Sequence, residues 1–529
     1  MSASTTLDTG IPPEARSQKK FRLSWQTLLL YLFALAFLAV GLLMRLRDLG
    51  LPFDRDGYDE GVYWQSLRAM SAGHSLYQQI FYSQPPFFLL SIYPIYTLFG
   101  QTLWSARLGV AVVSLFGLLG AFLLGKALAG PVGAIVASLL LLADPFYLLQ
   151  SQRLQAEAPS AALSLLAVGL AYLWWERPDG ILGLCLAALS GIVLSLCILS
   201  KLLGVVTLVP IGLLMLVRLW RIWHKPRGTR LAPARSVIAG ILAFILTSAL
   251  FLLPFAGSFA QLFHGVVTFH TSAGSLSVYR KTQPQNILLM QHLLTSITAF
   301  TALYSTIVAL VRRDWRVLPL LAWLGTTILM LWLQTPLFHH HLVALIPPLV
   351  SLAIVGISPI GRNKKESSPL IKEWTSTLAT VTTAITILVL LFVSYTNWQE
   401  EQKYYHDSLA QAASQTVQDA RAVQDLQNET TPGQLIITDA QFLAALADRN
   451  TPPSLVDTSG VRILTGNVTA EQLIQEASQP QVHAVLFYTC RLYCDKRTSE
   501  VIADFHTWVS QHFHLVHHYG SDQELWVKA

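Results

Sequence analysis

Four carboxylates fall within seven residues of the stretch DRDGYDEGVYW, at Asp54, Asp56, Asp59 and Glu60. Asp56, Asp59, Glu60 and Tyr63 stand at i, i+3, i+4 and i+7, so a helical segment gathers them on one face. A carboxylate presented this way has general-base chemistry to offer. Taken alone the run is equally a solvated acidic loop, with Arg55 neutralising Asp59 at i, i+4.

A second acid weighs against that plainer reading. In LLQSQRLQAEAPS, Arg153 and Glu157 follow an apolar run at i, i+4, with Pro159 near the start of the next helix. Lys201, in LSKLLG, sits between two apolar spans, where a charge is costly and usually functional. Arg280 and Lys281 share a polar loop with His264 and His270, and His339, His340 and His341 precede another apolar run. Three successive histidines do not converge on one ion, so no zinc site is expected; the carboxylates leave Mg²⁺ or Mn²⁺ open. Arg153, Lys201 and Arg280 suit an anionic group such as phosphate. A base that takes a hydroxyl proton, with cations that stabilise a departing phosphate, is the logic of group transfer from an activated donor. Apolar spans beside such a site would admit a lipid tail, and lipid-phosphate sugars are donors of that kind.

The elements that must position these groups are membrane helices. The chain has 529 residues, 53% hydrophobic and 12% charged, with a mean hydropathy of +0.48; an ordinary soluble protein carries about a quarter charged residues. Apolar spans read at 25–44, 105–127, 131–149, 158–176, 180–199, 202–221, 236–254, 287–311, 316–334, 341–358 and 375–395, about eleven crossings. With the basic N-terminal tail 1–24 cytoplasmic, the loops carrying Lys126, Arg177, Arg218 to Arg235, Arg312 to Arg316, and Arg362 to Lys365 all fall on the same side. That arithmetic requires Pro85 to Gly100, with three prolines in sixteen residues, to be an interfacial or partly buried helix and not a crossing. The first outer loop then runs over 45–104. The formal charge of +6 sorts into membrane orientation, and no nucleic-acid partner is expected.

After 397 the composition turns polar. A helical stretch near 401–427, strand candidates at Gln434 to Asp439, Val482 to Tyr488 and His514 to Gly520, and helices at Ala470 to Ala477 and Glu500 to His512 predict an α/β domain over 397–529, outside the membrane. Of four cysteines, Cys185 and Cys197 lie in apolar runs, and only Cys490 and Cys494 could pair.

The segments DEGVYW, GHSLYQ, QPP, ARLGVAVVSLFGLLGAFLLGKALAG and SQRLQAEAPS occur in an order that resembles the GT-C membrane glycosyltransferases, in particular protein O-mannosyltransferases and lipid A aminoarabinose transferases, over most of 25–400. The resemblance implies an inverting glycosyltransferase of the cell membrane. It would move a sugar from a polyprenyl-phosphate carrier to a hydroxyl acceptor on protein, lipid or glycan. It implies Asp59 as base with Glu60 beside it, Glu157 as the second acid and Arg153 as its companion. Gln84 stands where relatives often have His or Lys, so Lys201 or Arg280 is expected to share the phosphate contact. Asp56, Tyr63, Tyr82 and His339 are expected substrate contacts. A flippase of lipid-linked sugars needs similar cations, but the repeated halves and broken midplane helices common in transporters are not evident. A scaffold binding cell-wall components would have no use for acids at two loop mouths.

Overall fold

The computed structural model describes residues 25–52, 58–224, 226, 231–357 and 369–528. It is mainly helical, with one small sheet near the C-terminus. The N-terminal tail, Asp54, Arg55 and Asp56 lie outside the described residues.

The helix α1 (Trp25–Leu46) is followed by two short helices, α2 (Asp59–Ser71) and α3 (Phe87–Leu98). α3 covers the proline-rich segment expected not to cross; twelve residues are too few to span hydrocarbon. Its Phe88, Leu89, Ile92 and Tyr96 are fully buried, so it is packed into the protein. α4 (Leu103–Leu142) contains two of the expected spans. A Thr102–Ser105 capping box starts it. Its backbone leaves the helical region at Ala129 and at Gly130, where φ is +70°, directly before Pro131. A left-handed glycine followed by proline reverses the chain there, and the two legs pack so tightly that a Cβ on Gly125 would lie 2.2 Å from the Gly133 carbonyl oxygen.

Four more helices complete the first half: α5 (Pro145–Gln150), α6 (Glu157–Glu176), α7 (Gly180–Ser200) and α8 (Leu208–Trp223), with α9 (Leu231–Leu252) after them. α6 is the central stave. Glycine contacts let its backbone reach neighbours directly: a Cβ on Gly120 of α4 would sit 2.4 Å from the Leu166 amide nitrogen. Hydroxyls stitch the same seams, Ser160 Oγ donating to the Cys197 carbonyl at 3.1 Å and Ser190 Oγ to the Ala167 carbonyl at 3.0 Å. Small residues and hydroxyls serve here because lipid offers no hydrophobic drive for one helix to leave it for another.

Seven helices among the described residues are long and apolar enough to cross a membrane, or eight when the pair Gln283–Leu294 and Ile297–Val311, bent by 79°, counts as one span. The difference from eleven has three sources. α4 holds two expected spans in one helix, and the expected span 287–311 is the bent pair. Val317–Leu333 and His339–Val355, which cover two more, are each only seventeen residues long. The protein is nonetheless a multi-pass membrane protein: α1 and the segment Thr380–Glu400 leave most of their apolar surface uncovered, at 17% and 22% buried, whereas α6 is 89% buried.

The long helix Pro369–Glu429 carries the chain from its last apolar segment into the sheet. The strands are β1 (Leu435–Thr438), β2 (Val482–Phe487), β3 (Phe513–Gly520) and β4 (Gln523–Lys528) in the order β1-β2-β4-β3, parallel between β1 and β2 and antiparallel elsewhere. The sequence reading located β1, β2 and β3 but not β4. Cys490 and Cys494 form a disulfide.

The Gly120 contact predicts that Gly120→Val overpacks the α4–α6 seam. Overpacking of this kind costs about 1–3 kcal/mol, and a lowered melting temperature of the detergent-solubilised protein is the expected result.

Candidate active site

α2 presents three faces to three surroundings, and the placement of the site follows from this. Successive helical residues are about 100° apart, so Asp59 and Glu60 point differently despite being neighbours. Glu60 is fully buried against Arg107 of α4: Nε donates to Oε1 at 2.9 Å and Nη2 to Oε2 at 2.7 Å. The Leu154 amide also donates to Oε1, at 2.8 Å. Arg107 Nη1 in turn donates to the carbonyls of Leu49 and Leu51, both at 3.0 Å. Glu60 therefore does not share a face with Asp59 and Tyr63; its carboxylate is consumed in joining α2, α4 and the loop before α6. Asp56 lies outside the described residues, so the proposed four-residue face is reduced to Asp59 and Tyr63.

A second face of α2, made by Tyr58, Gly61, Gln65 and Arg68, rests on the C-terminal domain. Gln65 Nε2 donates to the Arg449 carbonyl at 3.0 Å, Arg68 Nε to Asn450 Oδ1 at 2.7 Å and Arg68 Nη2 to Asp448 Oδ1 at 2.8 Å. A Cβ on Gly61 would lie 2.4 Å from the Phe442 amide nitrogen, and the Trp64 and Phe442 rings meet edge to face at 5.7 Å. The Tyr58 hydroxyl donates to Asp457 Oδ1 at 3.1 Å and accepts from the Thr458 amide at 2.8 Å, with the Arg491 guanidinium 4.0 Å from the ring centre. Burial, and then the Asp457 charge, push the Tyr58 phenol well above its ordinary pKa, so it stays a donor at any working pH.

The third face carries Asp59, Val62 and Tyr63 to the wall of a cavity of about 770 Å³. The Asp59 side chain keeps 37% of its surface open. His340 Nε2 lies 3.7 Å from Asp59 Oδ2 and 3.5 Å from Glu157 Oε1, and His341 Nε2 lies 3.8 Å from the same Glu157 oxygen. Lys201 Nζ bonds directly to Glu157 Oε1. Lys201 can reach because α7 ends at Ser200 and the next residue is extended, at φ −156° and ψ 139°, turning the side chain back toward the first turn of α6. Arg153, Gln84, Tyr63, Tyr82 and His339 also line this cavity, as do the apolar Leu202, Leu203, Met330 and Pro336. Arg280 does not. It borders an adjoining cavity of about 580 Å³, with His270 and Gln334 at the shared boundary.

One expectation changes here. Lys201, read as a phosphate contact, lines the cavity and also holds Glu157. The histidines, expected to diverge, do not: the 3₁₀ turn His339–Leu345 brings His340 and His341 to Glu157, with ligand-type atoms within 4.8 Å of one another. The group still does not fit a divalent ion. Lys201 occupies a Glu157 oxygen, and the Phe338 amide donates to His341 Nδ1 at 3.2 Å. In the neutral ring that bond places the proton on Nε2, so an N–H faces Glu157 where an ion would need a lone pair; a metal-binding histidine donates through its outer nitrogen instead. Residues that sequence reasoning missed are His340 as the neighbour of both acids, Arg107, Tyr58, and Asp457 and Arg491 of the C-terminal domain. Tyr58 had one signal, its place directly before Asp59; His340 stood in the histidine run and Arg107 in the segment ARLGV, without a sign of their partners, and Asp457 and Arg491 had no signal.

The fold has counterparts among solved structures. The ArnT protein of Cupriavidus metallidurans, solved bound to undecaprenyl phosphate, superposes with a TM-score of 0.60 over 95% of this chain and 98% of its own, at 16% identity. The oligosaccharyltransferase of Archaeoglobus fulgidus, solved with zinc and sulfate, gives 0.53 over 92% and 72%, at 13% identity.

The chain has the GT-C fold.

The sequence family described as dolichyl-phosphate-mannose-protein mannosyltransferase matches residues 83–252, which in this GT-C chain run from just before α3 through α9. No curated protein was found to match this sequence.

Arg107→Leu would leave Glu60 as a buried charge without its partner, a change that costs about 3–5 kcal/mol. The expected outcome is a strongly lowered melting temperature, with recovery in the Glu60→Leu/Arg107→Leu double variant. The donor set around Glu157 further predicts that the protein purified in the absence of added metal carries well under one equivalent of zinc, manganese or cobalt by elemental analysis.

Proposed function

We propose that the protein is an inverting glycosyltransferase that moves a hexose or pentose from a polyprenyl-phosphate carrier to a hydroxyl acceptor at the outer face of the cell membrane. The observation that carries this reading is the meeting, in one cavity, of a partly open carboxylate at Asp59 with the cations Arg153 and Lys201 and an apolar wall. The partial match to a dolichyl-phosphate-mannose family and the likeness to a protein solved with undecaprenyl phosphate support the same donor class.

Asp59 takes the proton from the acceptor hydroxyl as its oxygen attacks the anomeric carbon. The bond from that carbon to the phosphate oxygen breaks on the opposite face, and its electron pair leaves with the polyprenyl phosphate. Arg153 and Lys201 stabilise the charge that develops on the phosphate. Glu157 keeps Lys201 and the two imidazoles in register at that end, and Leu202, Leu203 and Met330 receive the first part of the lipid. With the N-terminus cytoplasmic, the acidic first loop and the domain at 397–529 both face outside.

Removing a positioned general base costs about 10²–10⁴ in rate. Membranes containing Asp59→Asn are therefore expected to lose at least a hundredfold of sugar transfer from a radiolabelled polyprenyl-phosphate sugar at unchanged protein level. Full transfer by this variant would remove Asp59 from the role. Donor translocation in proteoliposomes without any glycosyl product would favour the flippase reading.

A further inference from the structure

We propose that the C-terminal α/β domain is a working part of the active site, holding Asp59 in place through Tyr58, which is a positioning residue. The inference rests on the reading of Asp59 as base.

α2 begins at Asp59, and its N-cap residue Tyr58 makes no side-chain hydrogen bond to the first turn. The opening turn of a helix has amide groups without intrahelical partners and frays unless something anchors it. Tyr58 supplies the anchor from outside the helix. Its carbonyl accepts from the amides of Gly61 and Val62 at 3.1 and 3.4 Å, so its backbone closes the turn that carries Asp59. Its side chain reaches across about four hundred residues of sequence to Asp457, Thr458 and Arg491.

Each of those partners is itself fixed. The Ser459 amide donates to Asp457 Oδ1 at 2.8 Å, and Arg462 Nη1 binds the Asp457 carbonyl at 2.6 Å and the Ser454 carbonyl at 2.7 Å. The Arg462 guanidinium also packs on Phe81, 3.8 Å from the ring centre, which ties this loop to the membrane part. Arg491 lies in the loop closed by Cys490 and Cys494. Asp439, fully buried at the end of β1, accepts from the amides of Tyr488, Thr489 and Leu492 at 2.8, 3.0 and 3.2 Å and so holds that loop to the sheet. The clamp is rigid on the domain side and meets the helix one residue from the carboxylate. The same loops reach the cavity, where Asp457, Ser459 and Arg491 stand with Asp59 on its lining. A domain that served only as a tether would have no reason to close over the first turn of this helix.

The test has two arms, both on the full-length protein in detergent or nanodiscs. In the first, amide hydrogen exchange is compared between wild type and Tyr58→Phe, which keeps the ring and removes the hydroxyl. Exchange at Gly61 to Tyr63 should rise at least tenfold, with little change in the last turn of α2. Unchanged exchange there overturns the clamp whether or not the protein transfers sugar. In the second, transfer kinetics should show kcat lowered about ten- to a hundredfold in Tyr58→Phe and in Asp457→Ala, because small misplacements of a catalytic group carry losses of that size. The KM for the donor should stay within twofold, and the double variant should be no worse than either single one, as for two partners of a single interaction. Asp457→Asn, which retains an acceptor oxygen, should keep most of the activity. Losses that add in the double variant, or that fall on KM, overturn the positioning role. A wild-type protein that transfers no sugar while Asp59→Asn is indistinguishable from it overturns the glycosyltransferase reading, and the exchange arm then decides the clamp by itself.

Discussion

Glu60 and Arg107 form an ion pair with no exposed surface on either side chain, and the geometry of the site depends on it. Taking two charges out of water costs several kcal/mol per ion, and the attraction between them offsets this only when the remaining hydrogen-bonding positions are filled. Here they are filled from three directions: the Leu154 amide on the carboxylate and the Leu49 and Leu51 carbonyls on the guanidinium. The pair thus fixes the rotation of α2 about its own axis. Once Glu60 points at Arg107, helical geometry turns Asp59 and Tyr63 to the cavity and Gly61, Gln65 and Arg68 to the C-terminal domain.

The other half of the site is set by how α6 is packed. Its first turn carries Glu157, its body runs through the middle of the helical part, and glycine approaches on α4 bring backbone against backbone. Close packing of this kind has few alternative arrangements, since any added methyl group would overlap main-chain atoms. Lys201 then meets Glu157 because α7, packed beside α6, ends one residue before it. Charge inside the apolar region is accommodated by pairing, as is usual where an ionisable group is placed among membrane helices.

The polar groups of the cavity divide along the same lines. Around Glu157 stand donors: the Lys201 ammonium and imidazoles whose outer nitrogens are occupied by Phe338 and Gln155. At the other end stand Tyr58, Asp457 and Arg491, supplied jointly by the residue that opens α2 and the C-terminal domain. A C-terminal domain that shares a wall of the cavity can influence what enters it, which a tethered module could not do.

Much was legible in the sequence because the signals were local. Apolar runs of about twenty residues, the proline-rich break at 85–100 and the alternating strand segments depend only on neighbouring side chains, and helices or strands occur at each of them. Asp59, Glu157 and Arg153 could be singled out because carboxylates beside apolar spans are costly wherever the chain folds. The sequence could not say which way each of them turns. It grouped Asp59 with Glu60 on spacing, whereas the tertiary partner Arg107, forty-seven residues away, separates their roles. It set His340 and His341 aside because consecutive residues diverge in regular structure, and a 3₁₀ turn places them together. It offered no route from Tyr58 to Asp457, since a hydrogen bond across four hundred residues leaves no trace in composition or period. The sequence by itself determined a membrane-embedded helical protein with acids at its loop mouths. Which acid meets the cavity was decided only by tertiary structure, because a buried ion pair sets the rotation of a helix and no local pattern encodes its distant partner.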